Sequence, residues 1–316
     1  MFTIAWPALL LTVLICQENA PPTDVLRVEA QPTLGFHAPY LLHVPVKVRQ
    51  QPERTHTLLV LPNNTGRPDD NFEMHDFAAR RWLGRHRSIA EDLGVVLLVP
   101  VFPRPAKDWR IYTHALDRDS MVTHKTVLKR PDLQLVGMLN HAIAQAGKEG
   151  LKLDRRVFLF GFSACGMFVN RFAFLHPDRV KAAAIGSPGG WPIVPTTEYQ
   201  GKSLRYPIGT ADWETLAGNK LDLDGLARVP LFLFLGAKDT NDSVIYRDSF
   251  DKQDEDLILA LFGKTLQERW QKAEALYREK LPAAVFKLYA DAGHTITPQM
   301  QQDVSAFFRR HLEPGK

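Results

Sequence analysis

The stretch that decides the fold is VFLFGFSACGMFVNRFAFL, residues 157–175. Its first four residues are all apolar, which is typical of a strand covered on both faces. A helical pattern then runs from Met167 to Leu175 and ends before His176-Pro177, where proline cannot continue a helix. The segment between them is therefore predicted to be a tight strand-to-helix turn with Ser163 near its tip.

This context makes Ser163 a candidate nucleophile. A nucleophile elbow strains the backbone of its serine and needs small residues two before it and about two after it. Gly161, Cys165 and Gly166 meet that need. Free N–H groups and the helix dipole favour negative charge there, so the backbone N–H of Ala164 is the expected oxyanion donor. One alternative is a structural turn with a buried serine; the other, Cys165 as nucleophile, is disfavoured because packed thiols are usually inert.

The rest of the chain alternates short apolar strands with amphipathic helices, which predicts an α/β fold with a mostly parallel central sheet flanked by helices. Further buried strands are predicted at 57–61, 95–102 and 231–235, and another strand at 284–290. Helices are predicted around residues 135–146 and after Thr297-Pro298, a cap followed by a first-turn proline. Residues 21–316 are interpreted as a single domain with lid-like insertions near 187–218 and 245–282.

A serine hydroxyl needs a histidine base, which is oriented in turn by a carboxylate. Asp239 follows the 231–235 strand, at the carboxyl end where sites in open α/β sheets assemble. Asp242, three residues later, is the alternative acid. His294 follows the 284–290 strand and is the one histidine on a strand-to-helix loop after both the serine and the acid. The predicted catalytic residues are therefore Ser163, Asp239 and His294, with the choice of acid open.

Two further parts of the site are predicted from loops. The second oxyanion N–H is expected from the loop at 61–66, with Asn64 as the first choice and Thr65 as the alternative. Trp191, Trp109 and Tyr112 lie in loops where they could line an aromatic substrate pocket. Ordinary packing is the alternative for each of these three aromatic residues.

These motifs resemble those of the α/β-hydrolase superfamily over residues 38–312. The resemblance rests on Gly161-x-Ser163-x-Cys165, Gly236-x-x-Asp239 and Gly293-His294, in that order. Within the superfamily, the sequence from Ser163 to Ala182 is similar to bacterial serine esterases related to polyhydroxyalkanoate depolymerases and feruloyl esterases. It departs from that pattern in two ways: Cys165 replaces the usual second glycine, and the His-Gly-Gly-Gly loop of many lipases is absent.

The resemblance implies a carboxylic ester hydrolase that needs no cofactor. Ser163 would attack a small-molecule or polymeric ester, His294 would take and return the proton, and Asp239 would orient the imidazole. A peptidase or amidase with the same fold is an alternative, and so is a binding protein that has the fold without the activity. The sequence leaves the acyl and alcohol specificity and the oligomeric state open.

Composition excludes several other classes of function. The chain has 316 residues, 45% of them hydrophobic, and a net charge of +4 without blocks of like charge, which gives no indication of nucleic-acid binding. Its two cysteines cannot form a disulfide framework. No histidine or carboxylate pair has a metal-ligand spacing and no Gly-x-Gly-x-x-Gly opens a helix, so neither a metal nor a dinucleotide is predicted.

The amino terminus predicts export. Residues 4–16 are almost entirely apolar, but the run is shorter than the about 20 residues that a membrane span needs. Its length and the polar residues that follow are typical of a signal peptide, here residues 1–20, which predicts a periplasmic or secreted protein without a stable membrane span. A buried first strand in a cytoplasmic protein is the alternative.

Overall fold

The structure is a computed structural model that describes residues 25–312, so the predicted signal peptide lies outside the described residues. Eight strands form one sheet in the order β1-β2-β4-β3-β5-β6-β7-β8. Strands β3 to β8 run parallel, whereas β2 is antiparallel to both of its neighbours. The strands are β1 (Val25–Val28), β2 (Tyr40–His43), β3 (Leu58–Val60), β4 (Val96–Pro100), β5 (Val157–Phe162), β6 (Val180–Gly186), β7 (Leu231–Gly236) and β8 (Val285–Tyr289).

Eleven α-helices occur in the described part of the chain. Helices α2, α4, α5 and α11 cross between the sheet strands or follow the last one, and α8 to α10 lie between β7 and β8. The helices are α1 (Val46–Arg49), α2 (Phe72–Leu93), α3 (Arg118–Val122), α4 (Pro131–Lys148), α5 (Ala164–Leu175), α6 (Trp213–Ala217), α7 (Leu223–Ala227), α8 (Ser243–Tyr246), α9 (Lys252–Phe262), α10 (Leu266–Lys280) and α11 (Pro298–His311).

The strands β3, β4, β5 and β7 are covered on both faces, which explains their unbroken apolar runs in the sequence. In β5, Val157 and Leu159 pack in the core shared with α4 and α5, whereas Phe158 and Phe160 pack on the other face with α2 and α11. The predicted strands correspond to β3, β4, β5, β7 and β8, and the predicted helices to α4 and α11. The predicted α/β fold with a mostly parallel sheet is therefore confirmed.

Strand β6 lies in the middle of the sheet, between β5 and β7, although the sequence pattern did not predict it. Its alanines, Ala182 to Ala184, are fully buried, and they favour a helix over a strand when only local preference is considered. Ala183 faces the core shared with α5, whereas Ala182 and Ala184 face the core with α2 and α11. Helix α5 passes very close to the end of the strand at Gly186. A Cβ atom added to Gly166 would lie 2.3 Å from the carbonyl oxygen of Gly186.

The two segments predicted as insertions pack against the face that carries α5. The first includes a short ribbon that pairs Glu198–Tyr199 with Lys202–Ser203, and the second includes α8 to α10. Tyr277 of α10 is fully buried and ties the two segments together, because its hydroxyl donates to the carbonyl oxygen of Ile193 at 2.8 Å. The second segment thereby holds the loop that follows β6.

Candidate active site

Ser163 stands at a strained turn between β5 and α5. Its backbone has φ +63° and ψ −128°, a conformation that is costly for a residue with a side chain. The turn is crowded: a Cβ atom on Gly161 would lie 2.1 Å from the carbonyl oxygen of Cys165. Ser163 is partly exposed although its neighbours are buried. The strain therefore presents the hydroxyl at the carboxyl edge of the sheet, as the elbow prediction requires.

Cys165 fills the position of the second glycine and is fully buried. Its thiol donates to the carbonyl oxygen of Phe162 at 3.0 Å. Burial raises the pKa of Cys165 to about 12, so the side chain is a neutral thiol at ordinary pH. Because the thiolate is the nucleophilic form, this position does not support the alternative in which Cys165 attacks the substrate.

Asp239 and His294 are in direct contact. The Nδ1 atom of His294 donates to Oδ2 of Asp239 at 2.9 Å and lies 3.1 Å from Oδ1. The carboxylate is buried, whereas the imidazole is partly exposed. The imidazole ring packs on Phe162, the residue before Ser163, with ring centroids 4.9 Å apart. The structure thus brings the predicted acid and histidine together beside the elbow.

Backbone contacts hold the acid and histidine loops against each other. The N–H of Lys238 donates to the carbonyl oxygen of Ala292 at 2.9 Å. Gly236 permits this approach, since a Cβ atom there would lie 2.4 Å from the same oxygen. From α10, the side-chain amide of Gln267 donates to the carbonyl oxygen of Asp239 at 3.1 Å. The position of Asp239 is therefore set by β7, β8 and α10 together.

The environment of Asp239 favours its charged form. Burial by itself raises the pKa of the carboxyl group, but the hydrogen bonds from His294 and from the N–H of Asn241 outweigh it and lower the pKa below its ordinary value. A carboxylate at this position fixes the proton of His294 on Nδ1. Nε2 is then left as the acceptor, which is the atom that a general base needs.

Asp242, the alternative acid, has a different partner. Its carboxylate forms an ion pair with Arg269, which is fully buried, and accepts the N–H of Val244 at 3.1 Å at the start of α8. Asp242 therefore links α8 to α10, and the carboxylate that forms a hydrogen bond with His294 is that of Asp239.

The Nε2 atom of His294 has a hydrogen bond that the sequence did not predict. The side-chain amide of Asn241 donates to it at 2.8 Å. Asn241 lies in the same loop as Asp239, so a single loop contacts both nitrogen atoms of the imidazole. For Ser163 to transfer its proton to Nε2, this amide has to move aside.

The loop after β3 is the predicted source of the second oxyanion donor. Its shape is maintained by Asn63, which is fully buried and makes two 2.9 Å hydrogen bonds with the backbone of Phe102 at the end of β4. Thr65 is held by a 2.7 Å hydrogen bond to Nδ1 of His75 in α2. The side chain of Asn64 instead accepts the N–H of Gly66 at 3.0 Å. Because β3 is the neighbour of β5, the loop lies at the same sheet edge as Ser163.

Ala164, the predicted first donor, is the first residue of α5. Its N–H belongs to the first turn, where helix N–H groups have no intrahelical acceptor. This location fits the predicted role, because a free N–H next to the nucleophile can bind an oxyanion.

The predicted aromatic pocket needs correction. Trp191 is fully buried, stacks on Phe262 with ring centroids 4.0 Å apart, and donates its indole N–H to the carbonyl oxygen of Ile208 at 3.0 Å. Tyr112 is buried under the guanidinium of Arg104, which lies 3.2 Å from the ring centroid. Both residues pack in the interior, as the alternative interpretation held, because their rings fill space between α5 and the surrounding loops.

Trp109 is the exposed member of the three predicted aromatic residues, with 40% of its surface accessible. It is in contact with Arg110, whose guanidinium lies 5.2 Å from the indole ring. A role in substrate contact is open to it, whereas the other two are shielded from solvent.

Sequence reasoning missed four residues that shape the site: Asn63, His75, Asn241 and Gln267. Asn63 and Asn241 lie within the predicted loops, so the sequence predicts that they are near the site but does not predict their hydrogen bonds. His75 lies on α2, 10 residues from Thr65, and Gln267 lies on α10, 28 residues from Asp239. No local pattern predicts either pairing. Their roles depend on how α2 and α10 pack.

The described residues meet neither the requirements of a metal site nor those of a membrane-spanning helix. Between residues 25 and 312, no group of three or more His, Cys, Asp or Glu side chains is arranged to hold a metal ion. Over the same range, none of the helices combines the length and apolar character needed to cross a membrane.

Comparison with solved structures places this chain in the α/β-hydrolase fold. The poly(aspartic acid) hydrolase-1 of Sphingomonas sp. KT-1 superposes with a TM-score of 0.59 at 20% identity, over 86% of this chain and 94% of that one. A thermostable esterase superposes with a TM-score of 0.50 at 14% identity, over 90% of this chain and 62% of that one. No protein-family model and no curated protein matches the sequence. At these identities the likeness establishes the fold.

Proposed function

We propose that this protein is a serine hydrolase that cleaves carboxylic esters through an acyl-enzyme on Ser163. The observation that carries the proposal is the contact between Asp239 and His294 beside a strained, partly exposed serine. The α/β-hydrolase fold supports it, because that fold assembles a serine, an acid and a histidine at the carboxyl edge of its sheet.

The first half-reaction makes the acyl-enzyme. His294 Nε2 takes the proton of Ser163 Oγ as Oγ bonds to the ester carbonyl carbon, and Asp239 stabilises the imidazolium that forms. The N–H of Ala164 and a second N–H from Asn64 or Thr65 bind the oxyanion. The tetrahedral intermediate then expels the alcohol, which leaves with the proton from His294.

The second half-reaction returns the enzyme to its starting state. Water gives a proton to His294 Nε2 and its oxygen attacks the acyl carbonyl carbon. The intermediate expels Ser163 Oγ, which recovers the proton, and the carboxylic acid is released. The amide of Asn241 has to leave Nε2 of His294 at the start of each half-reaction. That nitrogen has one lone pair, so it can accept a hydrogen bond from Asn241 or from the reacting hydroxyl or water, but not from both.

A fluorophosphonate probe tests the nucleophile, and the chain offers a matched control. Gly201-Lys202-Ser203 is a second Gly-x-Ser sequence, but its serine is exposed on a short ribbon. We expect labelling of the wild type and of Ser203→Ala, and none of Ser163→Ala, with ester turnover lost in the same variant by about 10⁶-fold in kcat. Equal labelling of Ser163→Ala, or an unlabelled wild type, would show that Ser163 is not the nucleophile.

A substrate panel separates ester hydrolysis from the peptidase or amidase alternative. We expect 4-nitrophenyl esters to be turned over faster than peptide 4-nitroanilides with matched acyl groups, measured by release of the chromophore. Faster anilide turnover would assign the site to amides. A labelled serine without turnover of either class would favour the alternative of a binding protein.

A further inference from the structure

A groove beside the proposed oxyanion loop carries three arginines. It has a volume of about 290 Å³ and lies between the outer face of α2 and the segment that follows β3. Asn64 and Thr65 form part of its wall, so the groove begins at the loop that is proposed to stabilise the oxyanion. The cations that line it are Arg67, Arg81 and Arg85, all of them exposed.

These guanidinium groups lack acidic partners. Within residues 25–312, none of the three forms a hydrogen bond or ion pair with another residue, and no aspartate or glutamate lines the groove. The carboxylates of the neighbouring Asp69 and Asp70 accept backbone N–H groups instead, at 2.9 and 3.2 Å. The lining of the groove therefore carries three positive charges and no carboxylate.

Other arginines of α2 form ion pairs with carboxylates of the same helix. Arg80 binds Asp76 and Arg87 binds Glu91, each at a separation of four residues along α2. Arg81 and Arg85 are also four residues apart, but like charges at that spacing destabilise a helix. An anion bound between them would offset this repulsion. The guanidinium of Arg81 lies 5.7 Å from the centroid of the Phe77 ring.

The groove also has apolar walls. Met74, Phe77 and Trp82 line it between the arginines. Residues four apart on a helix are about 6 Å apart along its axis, so Arg81 and Arg85 can bind two anionic groups on one short chain. Guanidinium groups match carboxylates, and the apolar walls match the hydrocarbon between them.

We propose that the substrate is an ester whose acyl or alcohol part carries carboxylate groups, which bind Arg81 and Arg85 while the ester lies at Ser163. This inference rests on the proposed function for the position of the ester, but not for the binding of the anionic chain. Arg67, next to the oxyanion loop, provides a third positive charge along the same groove.

Matched substrates test the proposal. Mono-4-nitrophenyl glutarate and 4-nitrophenyl valerate have acyl chains of equal length, and only the first has a terminal carboxylate. We expect the wild type to prefer the glutarate ester at low ionic strength and to lose that preference at high salt. The glutarate ester has one free carboxylate and can form one ion pair with these arginines, and an exposed ion pair contributes up to about fivefold. Arg81→Gln/Arg85→Gln should therefore raise KM for the glutarate ester by up to about fivefold and leave the valerate ester unchanged.

The control variant Arg278→Gln/Arg309→Gln removes the same charge from exposed positions on α10 and α11 and should behave as the wild type.

Binding is measured separately, on Ser163→Ala protein, by fluorescence anisotropy with a labelled hexaglutamate and, as the neutral probe, a labelled hexaglutamine. We expect hexaglutamate alone to bind, and its dissociation constant to rise about tenfold in Arg81→Gln/Arg85→Gln.

The outcomes separate the two proposals. If wild type and Arg81→Gln/Arg85→Gln treat the two esters alike, or if the dissociation constant of hexaglutamate is unchanged by the substitutions, the arginine groove is not an anion site. If hexaglutamate binds through the arginines but neither ester is hydrolysed, the groove binds anions and the proposed esterase function fails. Thermal unfolding of each variant checks that the loss of binding does not reflect loss of the fold.

Discussion

The proposed nucleophile and the acid–histidine pair are held mainly by different kinds of interaction. The elbow is fixed by steric contact, since Gly161 and Gly166 lie where a Cβ atom would overlap backbone oxygens. The loops that carry Asp239 and His294 are held by hydrogen bonds and are partly open to solvent. The elbow is therefore the rigid half of the site, and the histidine side is the half in which hydrogen-bond partners can change.

Because of this difference, the geometry of Ser163 is fixed more firmly than that of His294. Ser163 has its geometry before any substrate is present, because its strained turn has no room to relax. His294 has its orientation from Asp239 but also a hydrogen bond from Asn241 that must break during catalysis. Substitutions on the two sides should therefore fail in different ways.

After the loss of the proposed nucleophile in Ser163→Ala, the largest expected effect on rate is on the hydrogen-bonded side. Asp239→Asn keeps the size of the side chain but can no longer hold the proton of His294 on Nδ1 as a carboxylate does. We expect kcat for ester hydrolysis to fall by about 10⁴-fold, with the protein still folded. Steady-state kinetics together with circular dichroism measure the two properties.

Asp242→Asn is the matched control, three residues away. Its carboxylate binds the buried Arg269, and breaking a buried ion pair costs about 3 kcal/mol. We expect a lower free energy of unfolding in urea and nearly wild-type kcat for the folded enzyme. A loss of kcat as large as that of Asp239→Asn would mean that Asp242 serves the histidine during turnover.

A smaller effect, on stability as well as rate, is expected on the steric side. Gly161→Ala would place a Cβ atom 2.1 Å from the carbonyl oxygen of Cys165, so the turn has to shift. Overpacking of this kind costs about 1–3 kcal/mol, and a displaced nucleophile loses about 10²-fold in rate. Urea unfolding and fluorophosphonate labelling rates measure the two changes.

Gly147→Ala is the control for that substitution. Gly147 lies in α4 with no atom within 4 Å of an added Cβ, so alanine should increase the free energy of unfolding by up to about 1 kcal/mol. If Gly161→Ala were equally harmless, the elbow would be more adaptable than its packing indicates, and the contrast between the two halves would disappear.

The smallest effect is expected at Asn241. In Asn241→Ala the competing hydrogen bond to Nε2 of His294 is lost, whereas the backbone N–H to Asp239 remains. A net hydrogen bond is worth about 1 kcal/mol, so kcat/KM should rise by up to about fivefold. Thr240→Ala, an exposed neighbour, should leave the rate unchanged. A decrease in Asn241→Ala would assign the amide to holding the imidazole in place.

Much of the fold could be predicted because local sequence patterns determine its strands, turns and helices. Strand β5 and the turn after it combine a buried apolar run with small residues at fixed spacing, so their structure and the position of Ser163 follow from neighbouring residues. Strand β6 could not be predicted in this way. Its alanines favour a helix by local preference, and they lie in a strand because helices pack on both faces of the sheet there, α5 on one face and α2 and α11 on the other.

The site shows the same division. The order of serine, acid and histidine limits the acid to two candidates, both in one loop after a buried strand. The choice between them depends on Arg269, which lies in α10 and takes Asp242 as its partner. Trp191 illustrates the opposite case, since a loop tryptophan in the sequence is a core residue once Phe262 packs against it.

The sequence by itself determined the strand–turn–helix unit, the parallel sheet and the candidate residues, because periodicity, small residues and strand ends act over short distances along the chain. Only the tertiary structure decided which carboxylate faces the imidazole, which aromatic rings are accessible and which arginines lie unpaired in one groove. These properties depend on contacts between residues far apart in sequence, and such contacts exist only after the helices have packed on the sheet.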